Sequence, residues 1–94
     1  IPEGYAGLII PRSGPAARQG ISIVNAPGLI DSGYRGEIKV PLINLDPTET
    51  FNYEKGERIA QLVIIATPSI TLHNTYELPE SSRGAQGFGS SGLS

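Results

Sequence analysis

The stretch that decides the fold is residues 21–43, with the sequence ISIVNAPGLIDSGYRGEIKVPLI. Apolar side chains at Ile38, Val40 and Leu42 alternate with other residues, which is the period of two that a half-buried β-strand requires. The segment 25–28 (Asn-Ala-Pro-Gly) has the composition of a turn. The stretch therefore predicts short strands that are joined by turns.

Similar runs occur on both sides of this stretch. We predict strands at residues 5–10, 21–24, 38–43, 51–53, 59–66 and 70–78. The apolar run 59–66 is compatible with a buried strand or a short helix, and its β-branched residues favour the strand. A helical turn is predicted only at 15–19, where Gly20 can cap its end. Strands at this spacing are typical of a β-sandwich or barrel, so we predict an all-β fold.

The length of 94 residues allows one small domain. We predict a β domain over residues 1–78 and a flexible C-terminal arm over 79–94, because nine of these last 16 residues are Gly or Ser. A chain of this size has a thin core, so contacts between subunits would contribute substantially to its stability. Ile1 opens, without Met, on what looks like the end of a strand, and we expect further residues upstream of it.

The composition excludes several classes of function. Seven basic and nine acidic side chains give a net charge of −2 without a broad basic surface, which argues against polymeric nucleic acid as a partner. The chain has no cysteine and one histidine, so a bound metal would be held mainly by oxygen atoms. No apolar run approaches the roughly 18 residues of a membrane span. These features predict a soluble, cytoplasmic protein.

Residues 11–14 (Pro-Arg-Ser-Gly) lie where a strand is predicted to end and a helical turn to begin. Backbone N–H groups at such a junction point outward and attract an anion. Arg12 and Ser13 add donors that suit phosphate oxygens, and Gly14 allows close approach. The segment predicts a phosphate site, although four residues of this kind also form ordinary exposed turns.

Residues 28–37 hold three glycines around Asp31 and Tyr34. Tightly folded backbone can fix a carboxylate and an aromatic ring beside a small ligand. Asp31 could then act as a general base on water, and Tyr34 could pack against a sugar. The alternative is a plain hairpin in which Asp31 accepts backbone hydrogen bonds and Tyr34 half-covers the core.

Two further features suit a ligand. Residues 83–92 place Arg83 and Phe88 on a Gly- and Ser-rich segment that could close over a nucleotide, or could be a disordered tail. Gln61 is an amide within an apolar strand, and a buried amide needs a partner in the protein or in a ligand.

In this order, the segments 11–14, 20–37, 56–62 and 83–92 resemble four of the five motifs of the trimeric deoxyuridine triphosphatases, or dUTPases. The resemblance covers nearly the whole chain. It implies a jelly-roll-like β-clip fold and a homotrimer whose active sites are shared between subunits. It also implies hydrolysis of dUTP to dUMP and pyrophosphate, with Mg²⁺ held mainly by the substrate phosphates and water.

The resemblance also implies a role for each site residue. Asp31 would deprotonate the water that attacks the α-phosphorus and would contact the sugar 3′-hydroxyl, while Tyr34 would lie beneath the deoxyribose. The residues implied near uracil are Asn25, Leu29, Ile30, Lys39 and, over the base, Phe88. Those implied at the phosphates are Arg12, Ser13, Gly14, Gln61, Arg83, Ser90 and Ser91.

One family motif is missing. The first dUTPase motif, an Ala-Gly-x-Asp-like segment, does not occur upstream of Arg12. We therefore expect the chain to be a truncated product or part of the working enzyme. Two alternatives to the dUTP diphosphatase are a deaminase of dCTP, which has a similar β trimer, and a non-catalytic nucleotide-binding β module.

Overall fold

The computed structural model describes residues 1–87, which form two antiparallel sheets and one short helix. The elements are β1 (Tyr5–Ile10), α1 (Ser13–Gln19), β2 (Ile21–Ile23), β3 (Gly28–Ile30), β4 (Leu42–Asn44) and β5 (Gln61–Ala66). One sheet has the strand order β3-β1-β5, and the other pairs β2 with β4. Among the regular elements of the described residues, strands therefore outnumber helices five to one.

Strand β1 lies at the centre of the three-stranded sheet. Its residue Ile9 is paired with Gly28 of β3 on one side and with Leu62 of β5 on the other. A Cβ atom added at Gly7 would lie 2.9 Å from Leu62 Cδ1. Glycine at this position therefore leaves room for the Leu62 side chain to lean across the sheet.

Helix α1 connects the two sheets. It begins after Arg12 and ends at Gly20, whose φ of 66° is left-handed and whose N–H donates to the Pro15 carbonyl oxygen. The predicted helical turn is confirmed, and it starts at Ser13 rather than Pro15. Pro15 is tolerated because it lies in the first turn, where its missing N–H has no partner to lose. Among residues 1–87, no helix has the length and apolar character to cross a membrane.

The apolar core is small. Its buried side chains are Ala6, Ile9, Ile21 and Ile23. The radius of gyration is 19.1 Å, whereas a compact domain of this length has about 12 Å. The described residues therefore do not close a complete core on their own.

Strand β5 confirms the predicted strand in the run 59–66, but its predicted burial is wrong for the single chain. Its four large aliphatic side chains, Leu62, Val63, Ile64 and Ile65, are 36–50% exposed. The reason is its place at the sheet edge, where it pairs with β1 only and no second layer of the described residues covers it.

Two predicted strands, 51–53 and 70–78, are not formed. Phe51 and Tyr53 instead pack against each other, with ring centroids 5.7 Å apart. Residues 70–78 are exposed and have no partner strand within the described chain, and an extended segment needs such a partner to satisfy its backbone groups. The predicted strand 38–43 is also shifted, since β4 starts only at Leu42.

Asp46 organises the turn that follows β4. Its Oδ1 accepts hydrogen bonds from the backbone N–H groups of Thr48 and Glu49, both at 2.9 Å, and from Thr48 Oγ1 at 3.3 Å. The two backbone donors, first that of Thr48 and then that of Glu49, are the main cause of a pKa of Asp46 below its usual value.

We expect Asp46→Asn to lower the midpoint of urea unfolding at pH 7. A carboxylate with a depressed pKa stabilises the fold above its unfolded-state pKa of about 3.9. This contribution is lost as the pH falls through the lower pKa of the folded state, so the two proteins should converge in strongly acidic urea titrations. Glu80→Gln, at an exposed carboxylate, is the matched control. A difference that persists unchanged at low pH would contradict this role of Asp46.

Candidate functional site

A pocket of about 210 Å³ opens beside β1 and β3. It is lined by Ile9, Asn25, Gly28, Leu29, Ile30, Asp31, Tyr34, Glu37, Ile38 and Lys39. Pockets for drug-sized ligands have roughly 300–1,000 Å³, so this one is small and suits a compact ligand or one part of a larger ligand. It combines apolar walls with two acidic groups and one basic group, which allows both packing and hydrogen bonding.

The pairing of β1 with β3 builds one wall of the pocket. A Cβ atom added at Gly28 would lie 3.3 Å from Asn25 Nδ2 and 3.5 Å from Ile9 Cβ. The first distance is tighter than ordinary van der Waals contact, so a side chain at position 28 would press on the Asn25 amide, while Ile9 would be in ordinary contact. Glycine therefore leaves room for the Asn25 amide at this wall.

The turn after β3 fixes the Asp31 carboxylate. The Gly33 N–H donates to Asp31 Oδ1 at 2.9 Å, and the Tyr34 N–H donates to the Asp31 carbonyl oxygen at 3.3 Å. Within residues 1–87, Oδ2 of Asp31 accepts no hydrogen bond. An exposed carboxylate that is held at one oxygen can accept a proton from water, or a hydrogen bond from a hydroxyl, at the other.

The Tyr34 ring is fixed by its neighbours in the same loop. Its hydroxyl donates to the Glu37 carbonyl oxygen at 2.5 Å. A Cβ atom added at Gly36 would lie 2.5 Å from that hydroxyl oxygen and 2.7 Å from the ring carbon Cζ. The ring thus occupies the space that a side chain at position 36 would need, and it lines the pocket rather than the core.

Arg12 and Gln61 lie where β1 ends and β5 begins. Gln61 is paired with Ile10 and donates from Nε2 to the Pro11 carbonyl oxygen at 3.0 Å. Arg12 donates from a guanidinium nitrogen to the Arg58 carbonyl oxygen at 3.3 Å. Gln61 is exposed, so the predicted buried amide is wrong, although it does have a partner in the protein.

The structure therefore separates the predicted site residues into groups. Six of them line the pocket: Asn25, Leu29, Ile30, Asp31, Tyr34 and Lys39. Four do not line the pocket and lie near the end of the sheet where β1 ends and β5 begins: Arg12, Ser13, Gly14 and Gln61. Arg83 is also outside the pocket and donates from Nε to the Gln86 carbonyl oxygen at 2.6 Å. The predictions for Phe88, Ser90 and Ser91 lie outside the described residues.

Comparison with known proteins places the chain in a family. A model of the dUTPase family matches residues 1–92. The chain belongs to the dUTPase family. It is 53% identical over 92 residues to a deoxyuridine 5′-triphosphate nucleotidohydrolase of Streptomyces griseus, and 55% identical over 92 residues to one of Thermobifida fusca.

These alignments cover 98% of the chain but 52% and 51% of the two relatives, respectively. The chain thus spans about half the length of the curated relatives it matches.

Solved dUTPase structures resemble the chain in fold. The Staphylococcus bacteriophage 80alpha dUTPase with dUpNHpp has a TM-score of 0.77 and 34% identity, over 99% of this chain and 70% of that one. Another structure of the phage enzyme gives a TM-score of 0.66 and 30% identity, over 85% and 67%. The predicted all-β fold of the dUTPase type is therefore confirmed.

Four residues that line the pocket were not predicted as site residues: Ile9, Gly28, Glu37 and Ile38. Glu37 and Ile38 lie between Tyr34 and Lys39 in the sequence. Because both of these neighbours were predicted at the site, the residues between them could have been included. Ile9 reaches the pocket only because β1 pairs with β3, and nothing local in the sequence indicates that pairing.

Proposed function

We propose that the full-length protein is a dUTP diphosphatase, which hydrolyses dUTP to dUMP and pyrophosphate. The observation that carries this proposal is the pocket beside β3. Within the described chain, the family resemblance assigns six residues to uracil, deoxyribose and the attacking water, and all six line this pocket. Membership of the dUTPase family supports the same reaction.

Uracil would occupy the wall between β3 and the loop that follows it. Leu29 and Ile30 supply apolar contacts, and Asn25 and Lys39 supply polar groups at the same pocket. Cytosine would present a mismatched hydrogen-bond pattern, which a polar site rejects strongly. Thymine would be excluded by its methyl group, and this depends on a rigid wall such as that around Gly28.

Asp31 would act as the general base. With Oδ1 held by the Gly33 N–H, Oδ2 takes a proton from water as the water oxygen bonds to the α-phosphorus. The bond from that phosphorus to the bridging oxygen breaks, and pyrophosphate leaves with the bonding electrons. Tyr34 would lie against the deoxyribose, where a 2′-hydroxyl has no room.

The phosphates would be bound by groups from other parts of the assembly. Arg12, Ser13, Gly14 and Gln61 lie outside the pocket of their own chain, which supports a site that is shared between subunits. Arg83, Phe88, Ser90 and Ser91 would close over the nucleotide from the C-terminal arm. Such donors stabilise the charge that develops as the phosphate bond breaks.

Mg²⁺ would enter the site as an ion carried by the substrate phosphates. Among residues 1–87, no cluster of three or more His, Cys, Asp or Glu side chains suits a metal. Mg²⁺ binds readily through substrate phosphates and keeps several of its waters. When bound, it would neutralise part of the triphosphate charge.

The cytoplasmic location of the protein stays a prediction.

Three copies would assemble, with partners covering strand β5. The strand forms an open sheet edge, and its aliphatic side chains are exposed on both faces of the sheet. Strands that are apolar on both faces are normally covered on both. A surface of this kind marks an interface rather than a free surface.

We expect Val63→Asp to shift the full-length protein from trimer to monomer in sedimentation experiments. The substitution places a charge on the exposed apolar face of β5, where a buried interface would leave it unpaired. Asn52→Asp adds the same charge at an exposed position outside the sheets and should leave the trimer intact. A monomeric wild-type protein, or a Val63→Asp variant that remains trimeric, would contradict the role of β5.

The function is tested by incubating the full-length protein with Mg²⁺ and dUTP, UTP, dTTP or dCTP. We expect pyrophosphate release from dUTP and little from the other three. Release of ammonia from dCTP would instead indicate a deaminase. Binding of dUpNHpp without turnover of dUTP would indicate a non-catalytic binding module.

A further inference from the structure

Arg35 joins two carbonyl groups of the loop that lines the pocket. One of its guanidinium nitrogens donates to the Ser32 carbonyl oxygen at 2.8 Å and to the Tyr34 carbonyl oxygen at 3.1 Å. The same loop holds the Asp31 carboxylate. Arg35 does not itself line the pocket.

These bonds add to the hydrogen bonds that the loop makes within itself. The Asp31 carbonyl and carboxylate oxygens are already partners of the Tyr34 and Gly33 N–H groups. Arg35 adds partners for two of the carbonyl oxygens that follow. Because the loop is exposed, water could solvate these oxygens equally well. The guanidinium is therefore not needed to satisfy buried acceptors. Its effect is to hold the loop in one conformation.

We propose that Arg35 is a positioning residue that sets the discrimination between deoxyribose and ribose. The proposal rests on the function proposed for this pocket. The Tyr34 ring is held at its hydroxyl by the Glu37 carbonyl oxygen, and the Tyr34 backbone, from which the ring projects, is held at its carbonyl oxygen by Arg35. Loss of the second hold lets the ring move away from the sugar, which admits a 2′-hydroxyl.

The test compares three variants of the full-length protein with wild type. Arg35→Met keeps the length of the side chain and removes its donors, whereas Arg35→Lys keeps a charged donor. Lys55→Met, at an exposed position in a separate turn, removes a charge of the same sign and is the matched control. The readouts are kcat/KM for dUTP and UTP, and the affinities for dUMP and UMP by calorimetry.

We expect Arg35→Met to lower the dUTP-to-UTP ratio of kcat/KM about tenfold, which is less than the loss of two charge-assisted hydrogen bonds would cost if water did not solvate both oxygens. The ratio should fall because kcat/KM for UTP rises, and the dUMP-to-UMP affinity ratio should fall in parallel. Arg35→Lys should restore part of both ratios, and Lys55→Met should match wild type.

Unchanged ratios in Arg35→Met would overturn the proposal. An equal loss with both sugars and a lower melting temperature would also overturn it, because that result indicates a purely structural role. If the wild-type protein binds dUMP selectively but does not hydrolyse dUTP, the proposed function fails and the affinity ratio still decides the role of Arg35. Failure of wild type to bind either nucleotide would overturn both proposals.

Discussion

Asp31→Asn is expected to reduce kcat for dUTP hydrolysis about 10²- to 10⁴-fold, which is the usual contribution of a general base. The substitution is nearly isosteric. The amide oxygen of Asn can still accept the Gly33 N–H bond that Asp31 Oδ1 accepts at 2.9 Å, so the loop should keep its shape. The amide cannot take a proton from water. The loss should therefore appear in kcat, with little change in the affinity for dUMP.

The control for this variant is Glu54→Gln, which neutralises an exposed carboxylate that lies outside both the pocket and the C-terminal arm. It should hydrolyse dUTP at the wild-type rate. If Asp31→Asn retained more than half of the wild-type kcat with an unchanged melting temperature, Asp31 could not be the base.

Gly36→Ala is expected to lower kcat/KM for dUTP about 10- to 100-fold, the equivalent of one or two lost hydrogen bonds or close contacts. The new Cβ atom would lie 2.5–2.8 Å from three atoms of the Tyr34 side chain. A ring has few rotamers with which to avoid such a contact, so it must leave its place in the pocket. The bond from its hydroxyl to the Glu37 carbonyl oxygen is then lost.

A double-mutant cycle shows whether this effect passes through the Tyr34 ring. In a Tyr34→Ala background, the clash is absent and Gly36→Ala should cause little further loss. Additive losses in the double variant would mean that Gly36 acts through the backbone and not through the Tyr34 ring.

The pocket was largely predictable because it is local in the sequence. Six of its ten lining residues lie in the stretch 25–39 and were assigned from the sequence. Asp31 and Tyr34 were indicated by the surrounding glycines, whereas the other four were assigned only through the resemblance to the dUTPases. Ile9 was missed for the opposite reason. It contributes through the pairing of β1 with β3, across 19 positions of the chain at the Ile9–Gly28 pair, and periodicity does not indicate which strands pair.

Strand positions were predictable only where a partner exists in the chain. The runs that became β1 and β5 are paired with each other over six residues. The run 70–78 has a similar composition, yet it forms no strand among the described residues. Alternation and β-branching show that a segment suits a strand, but they do not supply the neighbouring backbone that a strand needs.

The exposure of β5 marks a second limit of prediction from sequence. The composition of Gln61–Ala66 indicates a strand that is covered on both faces, whereas one chain leaves it open. We propose that partner subunits cover it, and periodicity in one chain contains no information about such a partner. The sequence predicted a thin core for the same chain, and four small or medium-sized buried side chains confirm it.

Nuclear magnetic resonance titration of the full-length protein with dUMP and, separately, UMP is the most direct test of a deoxyuridine site at residues 25–39. We predict that dUMP shifts the backbone amide signals of Ile30, Asp31 and Tyr34, and that UMP at the same concentration leaves them in place. Shifts confined to the separate cleft around Arg18, Asn44 and Asp46, or equal shifts with both nucleotides, would contradict that site.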